Sequence, residues 1–338
     1  MRRSLLIGTL LLLCSPLLAA GYHLMRTLPL AGDKGWDYAI ADSAGRRLYV
    51  THGDRVMVVD LDSDTLVGQV APLQGIHGVA LNPALGRGYI SDGKAGAVVV
   101  FDLKTLAIIK SIKAKPGVDA IAFEPASGQV VAFSGEAGAA VFIDAAKGEV
   151  AGTLDLGGKP EFCAVDGKGT VYVNLEDKAE LLAIDAQARK VLSRSSLAPG
   201  QEPSSLSMDV EGGTLFVGCH NRMALLMDAA SGKMKASLPI GAKVDASAYD
   251  PGTGMVFHSC GDGTLWAAVK GEKGNFSPLA PVHTQPGSRT MALDLKTHLL
   301  FLPAADFEPL PLSATAKDEH SRPKMIPGSF KLLVFGKD

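Results

Sequence analysis

A repeated unit of four short strands runs along the chain and limits the fold more than any other feature. Its clearest copy, residues 75–115, alternates apolar and polar residues in stretches separated by turns that contain Gly or Lys. We predict strands at 77–82, 88–91, 97–102 and 107–113. A single antiparallel meander of this kind leaves both faces uncovered, so the copies must pack on one another.

Two sets of anchor residues give the period of the repeat. A polar residue ends the first strand of each copy, at intervals of 40, 42, 42, 43, 41 and 44 residues: Asp42, Asn82, Glu124, Asp166, Asp209, Asp250 and Asp294. An acid ends the third strand, at intervals of 42, 42, 41 and 43 residues: Asp60, Asp102, Asp144, Asp185 and Asp228. Seven four-stranded antiparallel meanders with this period predict an all-β fold, the seven-bladed β-propeller.

The two ends of the chain predict how the ring closes. The seventh copy stops after its third strand at residues 331–338. Residues 22–30, YHLMRTLPL, resemble the fourth strands of other copies. We therefore expect the N-terminal strand to complete the last blade, which removes an open sheet edge.

The first 20 residues read as a secretory signal peptide. Arg2 and Arg3 precede an apolar run, and small residues follow at 19–21. The run is too short for a membrane span, although a retained N-terminal anchor is the alternative. We expect a single propeller domain over 21–338, without a membrane span, located in the periplasm or secreted.

Composition argues against one class of partner and one source of stability. The chain has 33 Lys and Arg, 35 Asp and Glu, and 6% aromatic residues, whereas nucleic-acid binders usually show a basic face. Three cysteines follow the signal segment: Cys163, Cys219 and Cys260. An odd number without a dense framework indicates that disulfides do not hold the fold together. We expect a monomer that does not bind nucleic acid.

Residues 48–70, LYVTHGDRVMVVDLDSDTLVGQV, resemble the YVTN repeat of bacterial YncE-like propeller proteins. The tetrapeptide departs from YVTN in each copy: YVTH at 49–52, YISD at 89–92, YVNL at 172–175 and FVGC at 216–219. The resemblance covers essentially all of the chain after the signal segment. It implies a periplasmic or surface propeller, usually without an assigned enzymatic activity.

A candidate ligand site follows from the symmetry of the repeat. The residues five positions before each first-strand anchor should form one ring at the mouth of the central channel: Asp37, His77, Asp119, Glu161, Ser204, Asp245 and Arg289. Four carboxylates in one ring suit a hard cation, such as a divalent metal ion, or a cationic organic ligand. Arg289 could instead pair with Asp245 or Asp37, or bind a ligand carboxylate. The alternative is a wet channel mouth that binds no ligand.

The ends of the second strands add further candidates on the same face. His52 is a possible ligand contact. A transition-metal site could use Cys219, His220, His258 and Cys260, because thiolate and imidazole suit zinc or copper. Their spacing matches no metal-binding motif, and ordinary buried cysteines are the alternative. Equivalent positions in adjacent blades should be too far apart for a disulfide.

The last blade carries the largest insertion, residues 306–330, which is rich in proline and charge. Its position on the face of the ring predicts a lid over the channel mouth, with Phe307, His320, Arg322 and Lys324 as contacts. Long loops without regular structure are usually functional or disordered, so a mobile surface loop is the alternative.

Two functions fit these features. There is no GxSxG elbow, HExxH helix or phosphate-binding glycine loop. We favour a non-catalytic binding propeller that uses the channel mouth and the 306–330 loop to bind a small ligand or a protein partner, neither of which the sequence identifies. The alternative is a metal-dependent hydrolase of the lactonase kind, in which a divalent metal polarises an ester or activates water and His77 is a candidate base.

Overall fold

The computed structural model describes residues 21–309 and 324–338, which form a seven-bladed β-propeller of antiparallel sheets. The expected signal peptide lies outside these residues, as do His320 and Arg322 of the predicted lid. No helix in the described ranges is long and apolar enough to cross a membrane.

The strands follow one another in chain order, and blades one to six each take the next four or five. The first half of the chain contains β1 (His23–Pro29), β2 (Trp36–Asp42), β3 (Arg47–His52), β4 (Arg55–Asp60), β5 (Thr65–Val70), β6 (Ile76–Asn82), β7 (Arg87–Asp92), β8 (Ala97–Asp102), β9 (Ile108–Lys113), β10 (Val118–Glu124), β11 (Gln129–Ser134), β12 (Ala139–Asp144), β13 (Glu149–Asp155), β14 (Pro160–Val165) and β15 (Thr170–Leu175). A 3₁₀ turn at Pro83–Leu85 follows β6.

The second half contains β16 (Glu180–Asp185), β17 (Lys190–Ser196), β18 (Pro203–Asp209), β19 (Thr214–Cys219), β20 (Met223–Asp228), β21 (Met234–Pro239), β22 (Val244–Asp250), β23 (Met255–Cys260), β24 (Thr264–Lys270), β25 (Phe276–Pro278), β26 (Val282–His283), β27 (Ala292–Asp294), β28 (Leu299–Ala304) and β29 (Lys331–Gly336). Blade one is β2–β5, blade two β6–β9, blade three β10–β13, blade four β14–β17, blade five β18–β21 and blade six β22–β26. Each predicted strand of blade two is found within one residue at either end.

The hydrophobic core is divided into seven layers, one between each pair of adjacent blades. Tyr49 of blade one and Phe101 of blade two, for example, lie in one layer with ring centroids 5.9 Å apart. The middle strands are covered on both faces, so β8 is a nearly continuous apolar run. The outer strand β9 is mostly exposed. Each blade therefore depends on its neighbours for burial.

The anchor acids that reveal the repeat have a structural cause. Asp42 at the end of β2 accepts a hydrogen bond from the turn nitrogen of Gly45 (2.8 Å), and Asp102 at the end of β8 accepts one from Thr105 N (2.7 Å). Such side-chain caps satisfy backbone donors that leave the sheet ladder. The spacing of acids along the chain is thus the spacing of capped turns.

Some first-strand anchors also join neighbouring blades. Asp294 of blade seven accepts two hydrogen bonds from Arg46 Nη1 of blade one (2.8 and 3.0 Å). Asp250 of blade six lies 2.8 Å from His298 Nδ1 of blade seven. The side chains of both carboxylates are completely buried, so their partners offset a large desolvation cost.

The N-terminal strand closes the ring, as predicted. The sheet of blade seven has the order β1-β29-β28-β27, with β1 antiparallel to β29. Leu30 N continues the pairing with a 2.9 Å hydrogen bond to Phe330 O. The ring of Tyr22 packs edge-on against Phe257 of blade six at 4.9 Å, which ties the start of the strand to the core.

We expect Asp294→Ala to lower the free energy of unfolding by about 3–5 kcal/mol, because it leaves Arg46 buried without this partner. Asp62→Ala removes the other, exposed carboxylate that binds Arg46 and should cost about 0–1 kcal/mol. Urea unfolding of the two variants measures the difference. Equal losses would show that the buried pair does not tie blades one and seven.

Candidate functional site

The predicted ring residues of blades one to six lie at a recurring β-bulge. In each of these blades the register between the first and second strands shifts by one residue near the start of the first strand. In blade one the shift falls between Trp36 and Ala39, at Asp37. Bulges redirect side chains out of the regular alternation, which explains how one position per blade can face the channel mouth.

Polar side chains on the second strands hold these bulges in place. They occupy the third position of the YVTN-like tetrapeptides and bind the backbone that the bulge displaces. The hydrogen bonds run from Thr51 Oγ1 to Tyr38 O (3.0 Å), from Gly78 N to Ser91 Oγ (2.8 Å) and from Phe162 N to Asn174 Oδ1 (2.7 Å). The third residue of the tetrapeptide therefore stabilises the bulged backbone that carries the ring residues at the channel mouth.

Three of the ring residues come together into a possible metal site. His77 Nδ1 lies 2.7 Å from Asp37 Oδ2 and 3.7 Å from Asp119 Oδ1. One ligand atom from each residue lies within 4.8 Å of the other two. Asp119 Oδ1 is buried and has no hydrogen-bond partner. In the described chain this is the one group of three or more His, Cys, Asp or Glu side chains so placed.

The pKa values of the mouth reflect its burial. Desolvation raises the pKa of Asp119 to about 7 and that of Glu161 to about 8, and the negative charge of Asp119 adds to the shift at Glu161. Burial also raises the pKa of Asp245 to about 6, although Arg289 opposes the shift. The hydrogen bond with Asp37 raises the pKa of His77 to about 9. The mouth therefore holds protons near neutral pH that a bound cation would displace.

The other predicted ring residues differ in their roles. Arg289 Nε pairs with Asp245 Oδ2 at 2.5 Å, one of the partners that the sequence suggested. Glu161 lies 3.7 Å from Lys159 Nζ. Ser204 is buried, and its hydroxyl donates to Val244 O of the next blade at 2.5 Å. Ser204 is thus bound to the wall and does not line the mouth.

Two aromatic residues that the sequence reasoning missed lie directly beneath the ring. Tyr38 of blade one donates from its hydroxyl to Glu161 O of blade four (3.2 Å), and its ring lies 5.0 Å from that of Phe162. The pair spans the channel. These two residues could have been recognised in the sequence, because both occupy the position directly after a ring residue, where the other blades have small residues: Gly78, Ala120, Ser205, Ala246 and Thr290.

His52 lies apart from the acidic cluster, beside a separate small cavity of about 180 Å³. Its ring stacks on Phe330 at 4.3 Å, and it is almost completely buried with neither ring nitrogen hydrogen-bonded. Burial lowers its pKa. Gly32 and Arg55 line the same cavity.

The described ends of the 306–330 loop form a two-stranded neck beside the mouth. Phe307 pairs with Met325, Glu308 N donates to Lys324 O, and Ile326 N donates to Asp306 O, the last two at 2.8 Å. The Phe307 ring lies 6.3 Å from that of Trp36, the residue before Asp37. The described ends of the loop therefore leave the propeller beside Trp36, the neighbour of Asp37 in the acidic cluster. The predicted lid itself falls mainly outside the described residues.

The predicted cysteine and histidine set is not gathered into a ligand cluster. Cys219, Cys260 and His258 are completely buried, and His258 Nδ1 lies 3.4 Å from Ser205 Oγ. Both cysteines are free thiols, and burial raises the pKa of each to about 12. Burial lowers the pKa of His258 to about 3. His220 points to Glu202 at 3.4 Å and is partly exposed.

Comparison with known proteins identifies the fold alone. No protein-family model matches the sequence, and no curated protein matches it. The structure is similar to a chain of the mitotic checkpoint complex, with a TM-score of 0.76 and 13% sequence identity over 100% of this chain and 99% of that one. It is similar to the WD40 repeats of RRP9 with a TM-score of 0.74 and 9% identity, over 95% of this chain and 99% of that one. It is similar to hydrazine synthase of Kuenenia stuttgartiensis with a TM-score of 0.70 and 16% identity, over 81% of this chain and 94% of that one. At these identities the YVTN resemblance stays a prediction.

We expect the free energy of unfolding to fall as pH rises from about 5 to 9. Asp119, Glu161 and Asp245 have pKa values above those of an unfolded chain, near 4, and that of His77 lies above its unfolded value, near 6.5. The folded state thus holds protons that the unfolded chain has already lost. The free energy of unfolding therefore falls until the pH passes the folded-state pKa of each group.

Urea unfolding at pH 5, 7 and 9 measures this slope. The double variant Asp119→Asn/Glu161→Gln should show a shallower fall, since it removes two of the shifted groups. Asp228→Asn is the control, because hydrogen bonds lower the pKa of Asp228 to about 2, below the tested range. An unchanged slope in the double variant would contradict the assignment.

Proposed function

We propose that this chain is an exported, non-catalytic binding propeller of the YVTN kind whose channel mouth holds a divalent cation. The observation that carries the proposal is the convergence of Asp37, His77 and Asp119, with Asp119 Oδ1 buried and unpartnered. An unpaired buried carboxylate oxygen is costly, and a cation would remove that cost.

The ligand types indicate which cation fits. Two carboxylates and one imidazole suit Zn²⁺ or Mn²⁺ better than Ca²⁺, which prefers six to eight oxygen ligands. Three protein ligands also leave coordination positions open. A cation held there would present these positions to a bound molecule at the mouth.

The surroundings of the cluster support a role in binding. Asp245 adds negative potential around the same opening at neutral pH, and Glu161 adds more once it loses its proton near pH 8. The described ends of the 306–330 loop lie beside Trp36, where they could contact a ligand at the mouth. The signal-peptide pattern of residues 1–20 supports the proposed export to the periplasm.

Calorimetric titration with Zn²⁺, Mn²⁺ and Ca²⁺, together with metal analysis of the purified protein, tests the cation site. We expect one site per chain for Zn²⁺ or Mn²⁺, with affinity that rises from pH 6 to 9 as the ligands Asp119 and His77 lose protons. Asp37→Asn/Asp119→Asn should weaken binding by at least about tenfold.

Asp185→Asn is the matched control for the charge change. Asp185 ends β16 on the opposite face, where it accepts a turn hydrogen bond from Ala188 N at 2.7 Å. This variant should bind the cation as the wild type does. Binding that is equal in all proteins, or absent at pH 8, would overturn the proposed site.

The second candidate is a metal-dependent hydrolase, and one observation favours it. Glu161, on the blade next to Asp119, has a pKa raised to about 8, so the fraction that is ionised near neutral pH is a strong enough base to activate water. His77 is less suited to act as the general base than the sequence suggested, because its Nδ1 is already hydrogen-bonded to Asp37. A bound divalent metal would supply Lewis-acid polarisation of an ester carbonyl.

Assays of the metal-loaded protein with a panel of lactones and aryl esters separate the two candidates. A hydrolase predicts turnover that falls at least about a hundredfold in Glu161→Gln while the cation still binds. Cation binding without turnover in the wild type would leave the binding propeller as the function.

A further inference from the structure

We propose that the central channel is a second binding site, which takes a neutral aromatic molecule from the face opposite the acidic mouth. The proposal does not depend on the cation site, because the two compartments are separated by Tyr38 and Phe162.

The channel below these two rings is a cavity of about 620 Å³. Its wall consists mainly of the first strands of the blades. It extends from Tyr38 and Phe162 to residues at the far ends of those strands and the turns after them, including Ser43, Pro83 and Leu295. Ligand pockets for small organic molecules typically measure about 300–1,000 Å³. The channel is therefore a cup of suitable size, closed at one end and open at the other.

The chemistry of the wall selects against charged ligands. Asp42 alone carries a charge among the described lining residues, and it lies at the open end, where it already accepts the Gly45 N–H. Five blades place alanine three positions after the ring residue, which leaves room along the axis: Ala80, Ala122, Ala164, Ala248 and Ala292. A charged molecule would lose its hydration here without gaining a partner of opposite charge, apart from Asp42 at the open end for a cation.

Aromatic and sulfur-containing side chains favour a flat aromatic ligand. Tyr38 and Phe162 form the floor, and Phe123, Met208 and Met291 line the wall. Aromatic rings pack well against one another and against thioether sulfur. Partly exposed apolar groups such as Phe123 and Met208 would be removed from water by such a ligand, which is favourable.

One polar pair gives the ligand a hydrogen-bonding feature. Ser207 Oγ and Ser247 Oγ, on adjacent blades, lie 2.6 Å apart in the wall. A hydroxyl pair uses one of its two protons for its own bond, so the second can be donated to a ligand. The molecule that fits best is thus aromatic, neutral and equipped with one acceptor oxygen or nitrogen.

Titration with N-phenyl-1-naphthylamine, a neutral probe whose fluorescence rises in apolar surroundings, tests the proposal. We expect one saturable site per chain, displaced by 2-naphthol and not by decanoate. Ala122→Phe and Met208→Trp each fill the cavity and should weaken probe binding by at least about tenfold. Ala151→Phe, an addition of the same size on the exposed outer strand β13, is the matched control and should bind the probe normally.

A measurement on the wild type locates the probe even if a filled variant fails to fold. Cys163 lines the cavity, whereas Cys219 and Cys260 are buried elsewhere. Burial raises the pKa of the Cys163 thiol to about 12, so its modification by N-ethylmaleimide is slow and is followed over hours at pH 9 by mass spectrometry of the peptides. Bound probe should slow it further. Absent probe binding, binding unchanged in both filled variants, or Cys163 modified at an unchanged rate would each overturn the proposal, and displacement by decanoate alone would overturn the aromatic ligand class.

The two proposed sites fail independently in these experiments. Ala122→Phe should retain cation binding at the mouth, and Asp37→Asn/Asp119→Asn should retain probe binding in the channel. Loss of one binding activity in a variant that keeps the other assigns the failure to one compartment.

Discussion

The whole molecule depends on the need of each blade to cover two apolar faces. A blade of four short strands has no core of its own, and its middle strands are apolar on both sides. Burial is achieved only when each sheet lies between two others, and a row of sheets satisfies this condition at every position only if it closes. The seven apolar layers and the shared strand pair of blade seven are two expressions of this single constraint.

The circular arrangement of the blades brings polar side chains to the central axis. Their partial burial costs free energy, which local interactions partly offset. Bulges turn Asp37, His77, Asp119, Glu161 and Asp245 toward one opening, and second-strand hydroxyls and an amide stabilise the displaced backbone. Part of the resulting negative charge is balanced inside the mouth, through the Asp37–His77 and Asp245–Arg289 pairs. The other two carboxylates, Asp119 and Glu161, are neutralised by bound protons near neutral pH. A site of this kind responds to any cation that competes with those protons.

The fold could be predicted from the sequence because local and global signals agree. The anchors Asp42 and Asp102 cap turns, so their spacing records the strand lengths directly. The ring positions were predictable because the bulge recurs at a fixed distance before the first-strand anchors, such as Asp42 and Asn82. Symmetry could not show that Ser204 would turn to Val244, since the same position has different side chains in different blades. It also could not show that Asp37, His77 and Asp119 would converge, because that depends on side-chain conformation.

Other misses came from treating each position separately. Cys219, His220 and His258 are close in the repeat pattern, yet two are packed into the core and one lies outside it. Conversely, Tyr38 and Phe162 belong to blades far apart in sequence and meet only across the axis. Contacts across a ring have no counterpart in a comparison of neighbouring repeats, so they are the ones that repeat alignment overlooks.

The strand that completes blade seven also sets the order in which the molecule can fold. β1 begins at His23 and its partner β29 ends at Gly336, so this pairing joins residues from opposite ends of the chain. Contacts of such long sequence separation form late, because the intervening chain must first be brought together. While the protein emerges from a ribosome, β1 must remain unpaired until the residues of β29 arrive. Until then both ends are open sheet edges, and the growing propeller is an intermediate with a strong tendency to associate with other chains.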